Sequence, residues 1–140
     1  QQRRLLIERT LRQVGLMVEH QFFYRHMLSD GQCQRIALAR ALILNPKVIV
    51  ADEPFAALDP SVRSQAVNLL MKLQRDLGLG FIFISHNLGI VRHISDKVII
   101  IKDGKVVESG KTDAIFNWPK NEYTKKLIDS HQALINRQSN

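Results

Sequence analysis

Apolar residues recur along this chain with two different periods, and each change of period marks a change of element. Ile7, Leu11 and Val14 follow one another at four and three residues, which aligns them on one face of a helix predicted over Arg3–Val14 and stopped by Gly15. Glu8 and Arg12 stand one turn apart on it as an ion pair. Ile36, Ala37, Ala41 and Leu44 repeat in the same way and predict a second helix from Gly31 to Leu44. Pro46 ends it and biases Asn45 towards an extended shape. The pattern then turns continuous: Val48-Ile49-Val50-Ala51 is an apolar, β-branched run, as in a strand buried on both faces of a parallel sheet.

Asp59-Pro60 is a helix start, with Asp59 as N-cap and Pro60 in the first helical position. From there Val62, Ala66, Leu69, Leu70, Leu73 and Leu77 share one face, and Gly78 stops the helix. Phe81-Ile82-Phe83-Ile84 repeats the buried-strand pattern. Leu88 to Ile94 reads as a short amphipathic helix and Val98 to Ile101 as a third strand, which Asp103-Gly104 turns back into Lys105–Glu108. Thr112 is placed to cap a small helix near Asp113–Phe116, and Glu122 to Ile135 reads as a last helix. The fold class is therefore α/β, with a mostly parallel sheet flanked by helices. The strand–helix–strand order from Val48 to Ile84 implies a right-handed parallel crossover, so His86 is expected at the same sheet edge as Asp52 and Glu53.

Length, charge and cysteine content narrow the picture. The 140 residues, 45% of them hydrophobic, suffice for one domain with a real core. No apolar stretch approaches the roughly 20 residues of a membrane-spanning helix, and the first residues lack a secretory signal's apolar centre, so a cytoplasmic location is expected. Cys33 is the single cysteine, which excludes an internal disulfide and a Cys-ligated metal centre. The formal net charge of +7 suits an acidic partner, although Arg3-Arg4, Arg35, Arg40 and Lys125-Lys126 are scattered as solvated helix faces would be. They lack the aromatic interleaving of a single-strand nucleic-acid groove.

Chemistry concentrates between Leu28 and His86. Leu28-Ser29-Asp30-Gly31-Gln32 opens a helix; an amino-terminal helix end carries unpaired N–H groups and attracts anions, and glycine allows close approach. Asp52-Glu53 tips the first buried strand at its carboxyl end, where ligands bind in open α/β sheets. An acid pair there can also be a plain helix cap, Asp59 can be a cap and nothing more, and a lone His86 can be structural. Read functionally, Asp52 suits Mg²⁺ held through its water shell and Glu53 suits a general base.

Taken together, these stretches resemble four motifs of the ATP-binding-cassette (ABC) ATPases. Leu28–Gln32 is similar to their signature motif, Val48–Glu53 to the Walker B strand with its catalytic glutamate, Ala56–Asp59 to the D-loop, and Ser85-His86 to the switch histidine. The block from Ile115 through Pro119 to Leu127 is similar to the tail of peptide-importer ATPases of the Opp/Dpp/Sap group. The resemblance implies a P-loop NTPase-like fold with part of the helical signature subdomain over 1–44, a Walker B to switch-histidine core over 45–108 and a helical tail over 109–140. It implies that Glu53 and His86 are catalytic, that Asp52 holds Mg²⁺, that Ser29, Asp30, Gly31 and Gln32 meet the nucleotide of a partner subunit, and that Asp59 lies at the dimer seam. In the family, the signature region touches the membrane-embedded subunits, so Phe22-Phe23-Tyr24 are read either as that contact or as core packing.

Two departures matter. Where the family has Gly-Gly after the serine, this chain has Asp30, which implies a weakened phosphate contact. No G-x-x-x-x-G-K-S/T phosphate loop occurs in the chain, so it reads as the carboxyl-terminal portion of an ABC ATPase, inactive by itself. The expectation is an ATP- and Mg²⁺-dependent importer subunit for peptides, peripheral on the cytoplasmic face of the membrane. Its expected partners are a second ABC ATPase, in a heterodimer, and permease subunits, with no nucleic acid. The alternatives are a soluble ABC-type ATPase acting on nucleic acid or ribosomes, and a non-catalytic dimerisation remnant.

Overall fold

The computed structural model describes residues 1–138, with side chains through residue 133. Its contacts divide into two compact units, Gln1–Ile84 and Ser85 onward.

The first unit begins with α1 (Gln2–Gln13). Its end is a Schellman arrangement: Gly15, at φ 72°, donates to Arg12 O at 3.0 Å, and Leu16 donates to Leu11 O at 2.9 Å. The surface ion pair joins Glu8 to Arg4, at 3.0 Å, rather than to Arg12. Both partners sit one turn from Glu8, and sequence spacing does not choose between them. Two short 3₁₀ turns, Val18–Phe22 and Arg25–Met27, lead to α2 (Asp30–Leu42).

α2 buries Ala39 and Leu42, packs Ile36 and Ala41 against the core as expected, leaves Ala37 exposed, and ends before the exposed Leu44. Its many alanines explain the difference: small side chains mark a face weakly, and contacts with α1 and with the next helix choose the orientation.

Strands β1 (Val48–Asp52) and β2 (Gly80–Ile84) pair in parallel, Asp52 opposite Ile84, with α3 (Pro60–Leu77) as the crossover. Ile49 is buried with Leu11, Val14, Leu16, Ala39, Leu42, Leu73 and Leu79, and Phe81 packs against that cluster. The opposite face of the pair is bare. Val48, Val50, Ile82 and Ile84 lie more than half exposed, Val50 at 63%. The expectation of strands buried on both faces is therefore corrected: the apolar run has helices against one face, and the side chains of the other are more than half exposed. On α3, Ala66, Leu70 and Leu73 are buried as read, Val67 is buried in addition, and Leu77, counted on the inward face, is exposed. Gly78, in the left-handed region at φ 62°, ends the helix as expected.

The second unit holds α4 (Leu88–Ile94), the antiparallel hairpin β3 (Lys97–Lys102) and β4 (Lys105–Lys111), α5 (Thr112–Asn117) and α6 (Glu122–Gln138). Asp103 and Gly104 both take positive φ, 50° and 72°, as a two-residue turn matched to strand twist requires. Leu88, Val98, Ile100, Ile115, Phe116 and Ile128 form its core. Lys111, not Thr112, is the cap residue of α5. Thr112 is buried instead, its hydroxyl donating to Ser95 O and its amide to Asp96 O.

Glu108 ties the hairpin to the start of α6. Its two carboxylate oxygens accept from the amides of Lys120 and Asn121, at 2.8 and 3.1 Å. The Lys120 N–H, foremost among its partners, holds the carboxyl below its ordinary value of 4.5. A lowered folded value means stability that is present above 4.5 and lost as pH falls through the lower folded value. Wild-type chain is therefore expected to lose urea resistance between about pH 6 and about pH 3 more steeply than Glu108→Gln, read by fluorescence of the single tryptophan, Trp118. Equal slopes in the two proteins would rule out this clamp.

Candidate functional site

The start of α2 is built around Ser29. Its backbone is extended at ψ 162°, its hydroxyl oxygen accepts from the Gln32 amide at 3.2 Å, and Gln32 Oε1 accepts from the Ser29 amide at 2.9 Å. This reciprocal capping satisfies two groups of the helix start. A helix start offers no carbonyl to the amides of Asp30 and Gly31. Gly31 is required there by space: a Cβ would lie 2.8 Å from Val62 Cγ1 in the first turns of α3. That approach brings the α2 start beside the helix that Asp59 opens.

Asp30 sits exposed in the first turn of α2. A carboxylate in that position interacts favourably with the helix dipole, by roughly 0.3–1 kcal/mol. It also occupies the electrostatic position an incoming anion would use. Stabilising the helix start and binding phosphate there are competing uses of the same partial charge.

The carboxyl end of β1 carries the two acids. Asp52 closes the strand, exposed, and its carboxylate makes no hydrogen bond or ion pair among the described residues. Glu53, half-buried, departs from the strand with φ 43°, and its amide donates to Ile84 O at 2.8 Å. A positive φ in a residue other than glycine is held only when its surroundings enforce it; here the bond to the neighbouring strand does so. Consecutive acids therefore project from a sharp turn rather than continuing the alternation of the strand. Phe55 and Leu58 in the following turn are buried, which anchors the segment leading to Asp59.

Asp59 occupies the N-cap of α3 with extended backbone (ψ 153°), but its side chain makes no capping bond. The N-cap position is as expected and the side-chain capping bond is not made: the Asp59 contribution is its carbonyl, which accepts from the Arg63 amide at 2.8 Å. Arg63 also donates through Nη2 to Leu58 O at 2.9 Å.

A cavity of about 250 Å³ opens between α2, β1 and α3, lined largely by apolar side chains, with Gln34, Arg35 and Asp52 as its polar members. Arg35 is not a solvated charge of a helix face, as its sequence suggested; its Nη1 donates to Val14 O at 3.1 Å, fastening α2 to the end of α1. Nothing in the local sequence signalled this, because the acceptor is a backbone carbonyl 21 positions away.

His86 belongs to the second unit, exposed, one residue after Ser85. Ser85 Oγ accepts from the Asn87 amide at 3.2 Å, and Asn87 Oδ1 caps α4 by accepting from the Ile90 amide at 3.1 Å. The histidine thus stands in a turn whose neighbours on both sides are hydrogen-bonded.

Phe22 and Tyr24 are largely exposed and Phe23 only partly covered, with Met17 and Met27 exposed beside them in sequence. Core packing, one of the two readings of these aromatics, is therefore corrected.

Among the described residues no helix is long and apolar enough to cross a membrane, and no three His, Cys, Asp or Glu side chains cluster to hold a metal. A Mg²⁺ ion bound through nucleotide phosphates and water needs one or two carboxylates rather than such a cluster. Asp52, exposed and with a carboxylate that makes no hydrogen bond or ion pair among the described residues, fits that demand.

The family model described as ABC transporter matches residues 1–56. In sequence the chain is similar to the putrescine export system ATP-binding protein SapF of Escherichia coli, 49% identical over 94% of the chain and 49% of the relative. It is similar to the dipeptide transport ATP-binding protein DppF of the same species, 50% identical over 96% of the chain and 40% of the relative. The oligopeptide transport ATP-binding protein AmiF of Streptococcus pneumoniae is 45% identical over 93% of the chain and 42% of its own length. The chain spans about half the length, or less, of the curated relatives it matches. Among solved structures, cbiO1 of Clostridium perfringens, part of the ABC transporter complex cbiONQ, superposes with a TM-score of 0.71 at 33% identity, over 82% of this chain and 45% of that one. An ATP-binding cassette of an ABC transporter in its ADP conformation gives a TM-score of 0.72 at 27% identity, over 86% of this chain and 47% of that one.

Proposed function

We propose that the chain, similar over most of its length to the ATP-binding proteins of ABC transporters, is part of an ATP-hydrolysing subunit of a peptide importer, driven by nucleotide-dependent dimerisation. The observation that carries this reading is the acid pair at the end of a parallel strand, with Glu53 turned out of the strand by its positive φ and pinned to Ile84. Relatives named for dipeptide and oligopeptide transport support the substrate class. Another relative, named for putrescine export, makes a small cationic substrate the competing reading.

In this proposal Glu53 is the general base that takes a proton from the attacking water, and His86 donates to the γ-phosphate. Asp52 holds Mg²⁺ through water, and the ion, when bound, neutralises charge on the phosphate oxygens. Ser29, Gly31 and Gln32 present the α2 start to the nucleotide of a partner subunit, and Asp59 lies at the seam between the two. No phosphate loop occurs in these 140 residues, so the chain by itself is proposed to hydrolyse no ATP. Its partners are a second ABC ATPase and membrane-embedded permease subunits, with the assembly on the cytoplasmic face of the membrane and no nucleic acid involved.

Asp30 makes the two nucleotide sites unequal. Its carboxylate near a triphosphate costs roughly a kcal/mol or more at an effective dielectric of about 20. The site served by this loop is therefore the weak one, and the pair is a heterodimer. In a full-length pair, Asp30→Gly is expected to raise turnover at the weak site by about fivefold or more, measured with the strong site disabled. An unchanged rate would reject the asymmetry.

A further inference from the structure

The capping glutamine of α2 has a second partner, remote in sequence. Gln32 Nε2 lies 3.0 Å from Nε2 of His20, which is 12 positions earlier and only 5% exposed. Because Gln32 Oε1 already accepts from the Ser29 amide, the group it turns to the histidine is its NH₂, a donor. His20 Nε2 must therefore be the acceptor, and the ring proton resides on Nδ1. The Met17 amide N–H points at Nδ1 at 3.1 Å and the Met17 carbonyl oxygen lies 3.1 Å from the same nitrogen, so these two contacts ask for opposite tautomers, and the Gln32 amide, oriented by the Ser29 N–H, selects the one with Nδ1 protonated. A protonated Nδ1 can use only the carbonyl. The ring is packed against Phe23, centroids 5.1 Å apart.

We propose that His20 is a positioning residue for the Ser29–Gln32 loop: as the neutral Nδ1–H tautomer it links Met17 O to the Gln32 side chain and so fixes the amide that holds Ser29. Gln32 without this partner keeps its capping oxygen but loses the restraint on its far end. Ser29 then samples orientations in which its hydroxyl oxygen no longer meets the Gln32 amide. The consequence for nucleotide chemistry rests on reading this loop as the signature motif; the anchor itself does not.

The test uses the 140-residue chain without nucleotide. Ring nitrogen NMR shifts of His20 are expected to show the Nδ1–H tautomer, and an Nε2–H tautomer overturns the proposal. His20→Phe preserves an aromatic ring but offers no acceptor, and His20→Gln restores an acceptor oxygen near the Nε2 position. In His20→Phe, exchange of the Ser29 amide is expected to accelerate at least about tenfold, with amides between β1 and β2 unchanged; His20→Gln should return it to within about threefold of wild type. Unchanged Ser29 exchange in a folded His20→Phe protein, or a glutamine variant no better protected than the phenylalanine one, overturns it. If His20→Phe does not fold, the tautomer and the glutamine variant decide. In the assembled ATPase, His20→Phe is expected to lower kcat with KM for ATP unchanged. An assembly without any wild-type turnover would defeat the signature reading while leaving the anchor to be judged by the exchange and tautomer results.

Discussion

Glu53→Gln is expected to lower ATP turnover of the full-length subunit in its dimer by roughly 100- to 10,000-fold while leaving ATP binding intact. Glutamine is close to isosteric with glutamate, and the backbone bond from residue 53 to Ile84 O does not involve the side chain. The local turn, with its positive φ, is thus preserved while the proton acceptor is lost. Asp52, adjacent in sequence, cannot substitute for it: it still belongs to the strand, and its carboxylate leaves β1 one residue earlier, before the turn. The measurement is steady-state phosphate release alongside equilibrium binding of ATP. A variant whose turnover stays within about threefold of wild type would remove Glu53 from the role of base and leave the site a binding device.

Leu73→Ala is expected to destabilise the first unit by about 2–5 kcal/mol. Leu73 is 3% exposed, at the meeting point of α3 with residues from α1, α2 and β1. Truncation removes the transfer energy of its methyl groups and leaves a cavity that three separate elements would have to move to fill. Since a whole domain is stable by only about 5–15 kcal/mol, a loss of this size shifts the urea midpoint strongly or prevents folding. Leu77→Ala, one turn further along, provides the control: Leu77 is exposed, alanine is a good helix former, and the change should stay within about 0.5 kcal/mol. If both variants unfold alike, the packing of α3 described above is incorrect.

The contrast between Leu73 and Leu77 also shows how far a sequence pattern reaches. Both fit the helical repeat, and the repeat correctly predicts the helix and its stop at Gly78. Burial depends on what lies opposite, and at the last turn of α3 the cover is only partial. The same limit explains β1 and β2. An apolar run predicts a strand with two coverable faces, and only one face meets helices, so Val50 and Ile82 are left exposed. Ala37 and Ala39 are chemically identical, and only the docking of α2 decides that the second is buried.

At the site, the sequence marked what is local. The helix start at Ser29–Gly31 and the acids at the strand end were legible, because a helix start and a strand end are properties of a few consecutive residues. The contacts that were not legible are those between residues distant in sequence: Arg35 on Val14 O, His20 on Gln32, Glu108 on the amides before α6.

By itself, then, the amino-acid order determined the elements, the parallel pairing across a helical crossover, and the motif residues from Ser29 to His86, since turn chemistry, periodicity and family resemblance are all written in short stretches. Tertiary structure alone decided which face of each element is covered, that His20 and not solvent receives the Gln32 amide, and that Glu53 leaves its strand through a strained turn. Those outcomes depend on distances between segments that meet only after folding, and no pattern within either segment encodes them.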